Sequence, residues 1–270
     1  MLDSWMVPAV AGLFGLAIGS FLNVCTLRWP EEESVVTPPS RCPRCGQPIR
    51  WFDNIPVLSW VLLRGRCRSC EVPISVQYPL VELATGLVWA GVFSHHGATW
   101  EAFRGSAFLT LLFGIALSDA RFYIIPDEFS VGGAVLGIGL AFLPGGPDAL
   151  AAFTGALVGY GSLWLVAVGG TWVLKRFFPG RLEEAGVDQA MGGGDVKMMM
   201  MVGAFVGIGG VALTVFIGSV LALIVFGPLA SLSRRLIPLG VFLAAAGAVT
   251  YVWGAAIMAW YMTQVVGLPG

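Results

Sequence analysis

Residues 191–206 read Met191-Gly192-Gly193-Gly194-Asp195-Val196-Lys197, then Met198-Met199-Met200-Met201-Val202-Gly203-Ala204-Phe205-Val206. A carboxylate thus stands at the edge of a strongly apolar stretch, directly behind three glycines. Carboxylates in membrane-spanning segments are costly and are retained for function. The rest of the chain fits a membrane setting. Its 270 residues are 57% hydrophobic and 11% charged, against roughly 25% charged in soluble proteins, and the mean hydropathy is +0.82. A polytopic, all-α membrane protein follows. The net charge of -1, with no basic tail, gives no sign of a nucleic-acid partner. The first apolar run, Trp5 to Thr26, is too long for a signal-peptide core and lacks a basic segment before it, so it reads as a retained span.

Working outward, apolar runs of near-spanning length lie at about 5–27, 79–95, 102–119, 129–144, 149–174, 195–209, 210–231 and 237–265. That predicts about eight transmembrane helices, the sixth and seventh parted only by Gly207-Ile208-Gly209-Gly210. Many runs are rich in Gly and Ala, which lets helices approach closely in lipid. Basic residues set the orientation. Arg28, Arg41, Arg44, Arg50, Arg64, Arg66 and Arg68 lie in the loop after the first span, and Arg121 follows the third. Lys175, Arg176, Arg181 and Lys197 surround the loop between the fifth and sixth, and Arg234 and Arg235 follow the seventh. With eight spans these share one face, the cytoplasmic one, and only Arg104 falls on the other. Both termini are then expected outside. Asp119, which closes the third run in Ser118-Asp119-Ala120-Arg121, and Asp195 both fall at cytoplasmic helix ends.

Residues 28–78 form the one sizeable soluble segment. They hold Cys42-Pro-Arg-Cys45 and Cys67-Arg-Ser-Cys70, with 21 residues between the knuckles. Two C-x-x-C knuckles at this spacing suit a tetrahedral Cys₄ zinc site. Disulfides fit a cytoplasmic loop poorly, a single redox motif would not need two knuckles, and an iron centre is the lesser metal alternative. About 50 residues cannot bury a stable core alone, so metal would carry much of this subdomain's folding energy. Cys25 lies inside the first span and reads as a packing residue.

Asp127 and Glu128 follow Pro126 and read as caps of the fourth span, where an acidic residue suits the positive helix end. Asp195 could also cap the sixth span, yet three glycines exceed what a cap requires. Glycine permits close backbone approach and unusual dihedrals. Other catalytic chemistries are thin. The two histidines, His95 and His96, adjoin in an outside loop, which leaves no Ser-His or Cys-His arrangement on the cytoplasmic face. The lysines are Lys175 and Lys197, and Lys197 is placed to tune Asp195 or to meet lipid phosphate. No H-E-x-x-H occurs. Hydrolysis here would use paired carboxylates, Asp119 and Asp195, one activating water and the other donating a hydrogen bond to the scissile carbonyl.

The motifs also carry a family likeness. Gly19-Ser20-Phe21-Leu22-Asn23-Val24 leads to Arg28-Trp29-Pro30. Asn54-Ile55-Pro56, Ser59-Trp60 and Arg64-Gly65 lie between the knuckles. Tyr78-Pro79 follows with Glu82, then Asp119, Pro126-Asp127 and Gly192-x-Gly194-Asp195-x-Lys197. From about residue 10 to 205 the chain resembles the bacterial type IV prepilin peptidases, leader peptidase/N-methyltransferases. The resemblance implies cleavage of the short basic leader from type IV prepilins and type II secretion pseudopilins at the cytoplasmic face of the inner membrane. Methylation of the new N-terminal residue with S-adenosylmethionine would follow. It implies that Asp119 and Asp195 are catalytic, supported by Gly192, Gly194 and Lys197, and that Cys42, Cys45, Cys67 and Cys70 bind zinc. Gln77 departs from the arginine that commonly precedes Tyr-Pro, which touches the methyltransferase half at most.

No G-x-G-x-x-G follows a strand, so an S-adenosylmethionine pocket would form between the cysteine loop and nearby helix ends. Gly65, Asn54, Arg64 and Glu82 are the candidates, beside plain roles as turn, loop bond, surface charge and helix start. The expected division is a first transmembrane helix at 1–27, a cytoplasmic Cys₄ loop with methyltransferase function at 28–78 and a transmembrane aspartyl peptidase domain at 79–270. Glu31, Glu32, Glu33, Glu183, Glu184 and Asp188 are the acidic groups available to a basic leader. Two rival readings stand beside a zinc-loop membrane scaffold with no chemistry, which leaves the paired aspartates and three glycines unexplained. A presenilin-type protease shares G-x-G-D but lacks the Cys₄ loop. A proton-coupled transporter would place its carboxylates near the bilayer midplane.

Overall fold

A computed structural model describes residues 5–145, 148–184, 186–230 and 238–267. Arg234 and Arg235, part of the charge argument for orientation, lie outside the described residues, as do the extreme termini. The described chain is helical, with two isolated β-bridges. It divides into two compact units that meet in sequence between Thr110 and Leu111.

In the first unit, α1 (Met6–Arg28) packs on α3 (Gln77–His96). Small residues make this possible. A methyl group at Gly15 would lie 2.8 Å from Trp89 Cβ, and one at Gly19 would lie 2.7 Å from Glu82 Cα. The backbones therefore touch, as close helix packing in lipid requires. Asn23, buried on α1, donates to the Tyr78 carbonyl at 3.1 Å and so fixes the start of α3. Between the two helices lies the cysteine loop, with one short α-helix, α2 (Leu58–Leu62), and two 3₁₀ turns. Asp53 and Arg68 clasp within it, the closest pair of atoms 2.6 Å apart, and that guanidinium holds the Asp53 carboxyl below its usual range.

The boundary between units falls within α4 (Trp100–Phe122). Beyond it come α5 (Asp127–Leu140), α6 (Ala149–Phe177), α7 (Arg181–Glu184), α8 (Gly193–Ala230) and α9 (Leu239–Tyr261). Helix α8 is the hub of the second unit, with α5, α6 and α9 against it. Its Met198, Met199 and Met201 are fully buried. Gly133 and Gly137 of α5 seat Met201 and Phe205, and Gly218 of α8 meets Leu243 of α9. Toward α6 the contact is backbone on backbone: Gly203 against the Gly155 carbonyl, and Gly159 against that of Met199.

Among the described residues, five stretches are long and apolar enough to cross a membrane: Met6–Glu31, Trp100–Phe122, Ala149–Phe177, Gly193–Phe226 and Leu239–Val266. Their outward faces carry large apolar side chains such as Leu13, Leu157, Leu165, Phe216, Leu223 and Trp260, which water would not tolerate over so wide a surface. The chain is a multi-pass membrane protein. The eight expected runs map onto helices with two adjustments. The sixth and seventh run on without a loop as the two segments of α8, which meet at Gly207, where φ of +68° and ψ of -175° are not helical. Helix α5 has 14 residues, a length of about 21 Å against an apolar bilayer core of about 30 Å.

Candidate active site

Asp119 lies near the C-terminal end of α4 and is buried at 6% exposure. Its position follows from the residues after it. Tyr123 donates to the Asp119 carbonyl at 3.0 Å and turns the chain with φ of +57°, so the helix stops and Ile124-Ile125-Pro126 leads into α5. The Asp119 carboxylate then accepts the Val241 N–H at 3.1 Å. Val241 lies in the first turn of α9, where its N–H also reaches the Pro238 carbonyl at 3.3 Å, so Asp119 places a carboxylate at a positive helix end. A methyl group at Gly240 would fall 2.9 Å from Asp119 Oδ2 and 2.8 Å from Ile125 Cδ1. Gly240 is therefore part of the site.

Asp195 is the third residue of α8, not its cap. None of the three glycines before it has positive φ, and two of them, Gly192 and Gly194, serve close approach. A methyl group at Gly194 would stand 3.0 Å from Ile125 Cβ, and one at Gly192 would stand 3.3 Å from Asp195 Oδ2. Gly193 faces open space. Ile125 is thus the common neighbour: it packs on Gly194, beside Asp195, and on Gly240, beside Asp119. The structure thus brings the surroundings of both aspartates onto one isoleucine.

Lys197 does not reach Asp195. Its ammonium contacts both oxygens of Asp127, each at 2.8 Å. Two residues along a helix lies on nearly the opposite face, which is why the sequence neighbour is not the spatial one. Asp127 in turn is the first residue of α5, whose N-cap is Pro126 and carries no side-chain cap bond. The pair is half-exposed, with side chains 41% and 60% accessible.

In the first unit the four sulfurs of Cys42, Cys45, Cys67 and Cys70 lie within 4.8 Å of one another. Each knuckle is built alike. Gly46 N–H donates to the Cys42 carbonyl at 3.0 Å and Glu71 N–H to the Cys67 carbonyl at 2.9 Å, both donors with positive φ. The bridges Arg41↔Pro48 and Arg66↔Pro73 close the two turns. Cys42 Sγ and Cys70 Sγ are 3.7 Å apart, and metal–sulfur bonds of about 2.3 Å give a tetrahedral edge of about 3.8 Å. The backbone N–H groups of Cys45 and Arg44 hold the Cys42 thiol down to about 6, toward the thiolate that binds metal. The cluster fits a metal ion.

Two family models cover most of the chain. One, for the bacterial peptidase A24 N-terminal domain, matches residues 13–96. The other, for the type IV leader peptidase family, matches residues 106–227. Prepilin leader peptidase/N-methyltransferase of Aeromonas hydrophila is 33% identical over 290 residues, covering 96% of this chain and 95% of that protein. The chain belongs to the type IV leader peptidase family. It is an enzyme, a membrane peptidase. The protein of the same name from Pseudomonas aeruginosa is 36% identical over 282 residues, 93% of this chain and 91% of that one. That of Myxococcus xanthus is 43% identical over 194 residues, 72% of this chain but 54% of that protein's length. No solved structure matches.

Both aspartates lie inside the peptidase-family match and both knuckles inside the N-terminal one, whereas Gly240 and Val241 lie beyond either. The four residues named for the methyl donor have different local settings. Asn54 is exposed and lines a cavity of about 320 Å³ with Ser20, Phe21, Arg28 and Pro56. Gly65 closes α2 with φ of +67°, and a methyl group there would meet Trp60 at 2.8 Å, so it is a turn glycine. Arg64 precedes it with φ of +53°. Glu82 is no helix-start charge: it is buried within α3 and accepts the Val57 N–H at 2.7 Å.

Proposed function

We propose that this peptidase removes the short basic leader of type IV prepilins and type II secretion pseudopilins, with Asp119 and Asp195 as the catalytic pair. The observation that carries the reading is their convergence on Ile125, which packs closely on Gly194, beside Asp195, and on Gly240, beside Asp119. One carboxylate, ionised, takes a proton from water as it attacks the scissile carbonyl. The other, protonated, donates a hydrogen bond to the carbonyl oxygen. Two carboxylates in such proximity share one proton and titrate as a unit. Collapse of the tetrahedral intermediate returns that proton to the leaving amine. Gly192 and Gly194 support the site by close approach.

The aspartates lie at helix ends, third or fourth from a terminus, rather than at mid-span. That favours a protease working at the membrane surface over a proton-coupled transporter. The charge distribution supports the cytoplasmic face of the inner membrane. The helices, with α8 divided at Gly207, support eight crossings with both ends of the chain outside. We assign the peptidase to residues 79–270 and methyl transfer to the loop at 28–78, which follows the first transmembrane helix. Zinc held by Cys42, Cys45, Cys67 and Cys70 would stabilise that loop and take no part in the bond cleavage. S-adenosylmethionine would supply the methyl group for the new N-terminus, as the relatives' names suggest.

One assay tests both halves. Purified protein is incubated with a short pilin precursor and S-adenosylmethionine, and the product is weighed by mass spectrometry. Leader loss and an added methyl are separate mass changes. An uncut precursor under conditions where a known family member cuts it would end the peptidase reading.

A further inference from the structure

Glu82 is a buried carboxylate that bond cleavage by two aspartates does not use. It sits on α3, 8% exposed, and makes no ion pair among the described residues. Its carboxylate accepts the Val57 N–H. Val57 has φ of +61° and ψ of -49°, a region that β-branched residues avoid. The Leu58 N–H donates to the Pro56 carbonyl at 2.6 Å across it. This is the three-residue γ-turn with positive φ at its centre, the rare and strained form. Immediately before the turn, Asn54 and Pro56 form one side of the 320 Å³ cavity, and Ser20, Phe21 and Arg28 of α1 form another. Arg28 is fixed in place, donating to the Ser34 and Pro38 carbonyls, each at 2.9 Å. The cavity combines an aromatic face, a guanidinium and a side-chain amide, and its volume is in the range of small-molecule sites.

We propose that Glu82 is a positioning residue for methyl transfer: by holding the strained Val57 turn it keeps Asn54 and Pro56 as the wall of a cavity that receives the methyl donor. This rests on the reading that the first unit transfers a methyl group from S-adenosylmethionine. The donor's amino-acid carboxylate suits Arg28, its sulfonium or adenine suits the Phe21 ring, and its hydroxyls or base suit the Asn54 amide. Strain at Val57 persists because a buried acceptor pins the amide, and without that acceptor the turn relaxes toward negative φ.

The test uses the full-length enzyme in detergent and four variants: Glu82→Ala, Glu82→Gln, Val57→Gly and Glu82→Ala with Val57→Gly. Leader cleavage, zinc content and methyl transfer onto an already cleaved pilin are measured, the last at varied S-adenosylmethionine. Glu82→Ala should raise the KM for S-adenosylmethionine about tenfold or more, with cleavage within about twofold and zinc unchanged. Glu82→Gln keeps an acceptor oxygen and should stay within about threefold of wild type. Glycine adopts the turn without strain, so Val57→Gly should restore most of the loss in the Glu82→Ala background. An unchanged KM in Glu82→Ala, no rescue by Val57→Gly, or joint loss of zinc, cleavage and methylation would each overturn the proposal. A wild-type enzyme that transfers no methyl group would overturn the methyl-transfer reading itself, and this inference with it.

Discussion

Substituting Gly203 by Ala should cripple cleavage although Gly203 touches neither aspartate. Asp195 rides on the first segment of α8, two turns before Gly203, and α6 holds that segment by direct backbone contact. A methyl group at Gly203 would land on the Gly155 carbonyl, with Ala156 N at 3.0 Å, and Gly155 is equally confined by Gly203 and by Gly207 Cα at 2.8 Å. These obstacles are backbone, so no rotamer change relieves them. Restoring ordinary contact at 3.5–4.0 Å requires the helices to part by about 1.5 Å or more. Overpacking of this kind costs about 1–3 kcal/mol of stability. The larger effect is on rate, because misplacing a catalytic group by about 1 Å costs about a hundredfold. Asp119 is anchored separately to α9 through Val241, so it would not follow the shift. Gly161 and Gly169 lie on α6 with open space where a methyl would go, and Ala at either should leave the rate within about twofold. The assay is initial-rate cleavage of a purified pilin precursor, with thermal unfolding of each variant measured in parallel. A Gly203→Ala enzyme cleaving within threefold of wild type would refute the claim that the α6–α8 contact sets the position of Asp195.

Three other outcomes are expected. Metal analysis should find one zinc per chain, and Cys42→Ser should expose the remaining three loop cysteines to alkylation while the membrane helices stay inserted; four freely reactive cysteines in the native enzyme would contradict this. Lys197→Ala and Asp127→Asn should each keep cleavage within about fivefold, because an exposed ion pair is worth about 1 kcal/mol or less. Neutralising Glu31-Glu32-Glu33, or Glu183, Glu184 and Asp188, should raise KM for the precursor and flatten the salt dependence of cleavage. An unchanged salt response in both sets would mean the basic leader is held elsewhere.

Much of this was legible in the residues themselves. Helices follow from apolar runs, and the knuckles announce their geometry because C-x-x-C permits only a tight turn, which both copies adopt. Asp119 and Asp195 stand out because carboxylates at the ends of apolar runs are rare. The partners of these groups were not legible. The amide that Asp119 satisfies is 122 residues away, and a helix start that uses another helix's carboxylate leaves no local cap to read. Lys197 looked like a neighbour of Asp195 in sequence, but the helical repeat turns it toward Asp127. Among three adjacent glycines, only packing against Ile125 distinguishes Gly194 from Gly193. Glu82 resembled a helix-start charge because burial and a strained acceptor partner are tertiary facts. The break at Gly207 illustrates the same limit: a glycine-rich interruption reads alike whether the chain loops or bends.

The central claim is that Asp119 and Asp195 act as one unit, and a double-mutant cycle measures it directly. Asparagine keeps the shape of each side chain, and at position 119 its oxygen can still accept the Val241 N–H, so α9 remains capped and lost activity is not lost structure. Cleavage of a pilin precursor should fall by at least about a thousandfold in Asp119→Asn and in Asp195→Asn, and the double variant should be no slower than the worse single, as for residues that work together. Methyl transfer onto an already cleaved pilin should persist in all three. Strong cleavage by either single variant, or losses that multiply in the double, would contradict a shared aspartate pair.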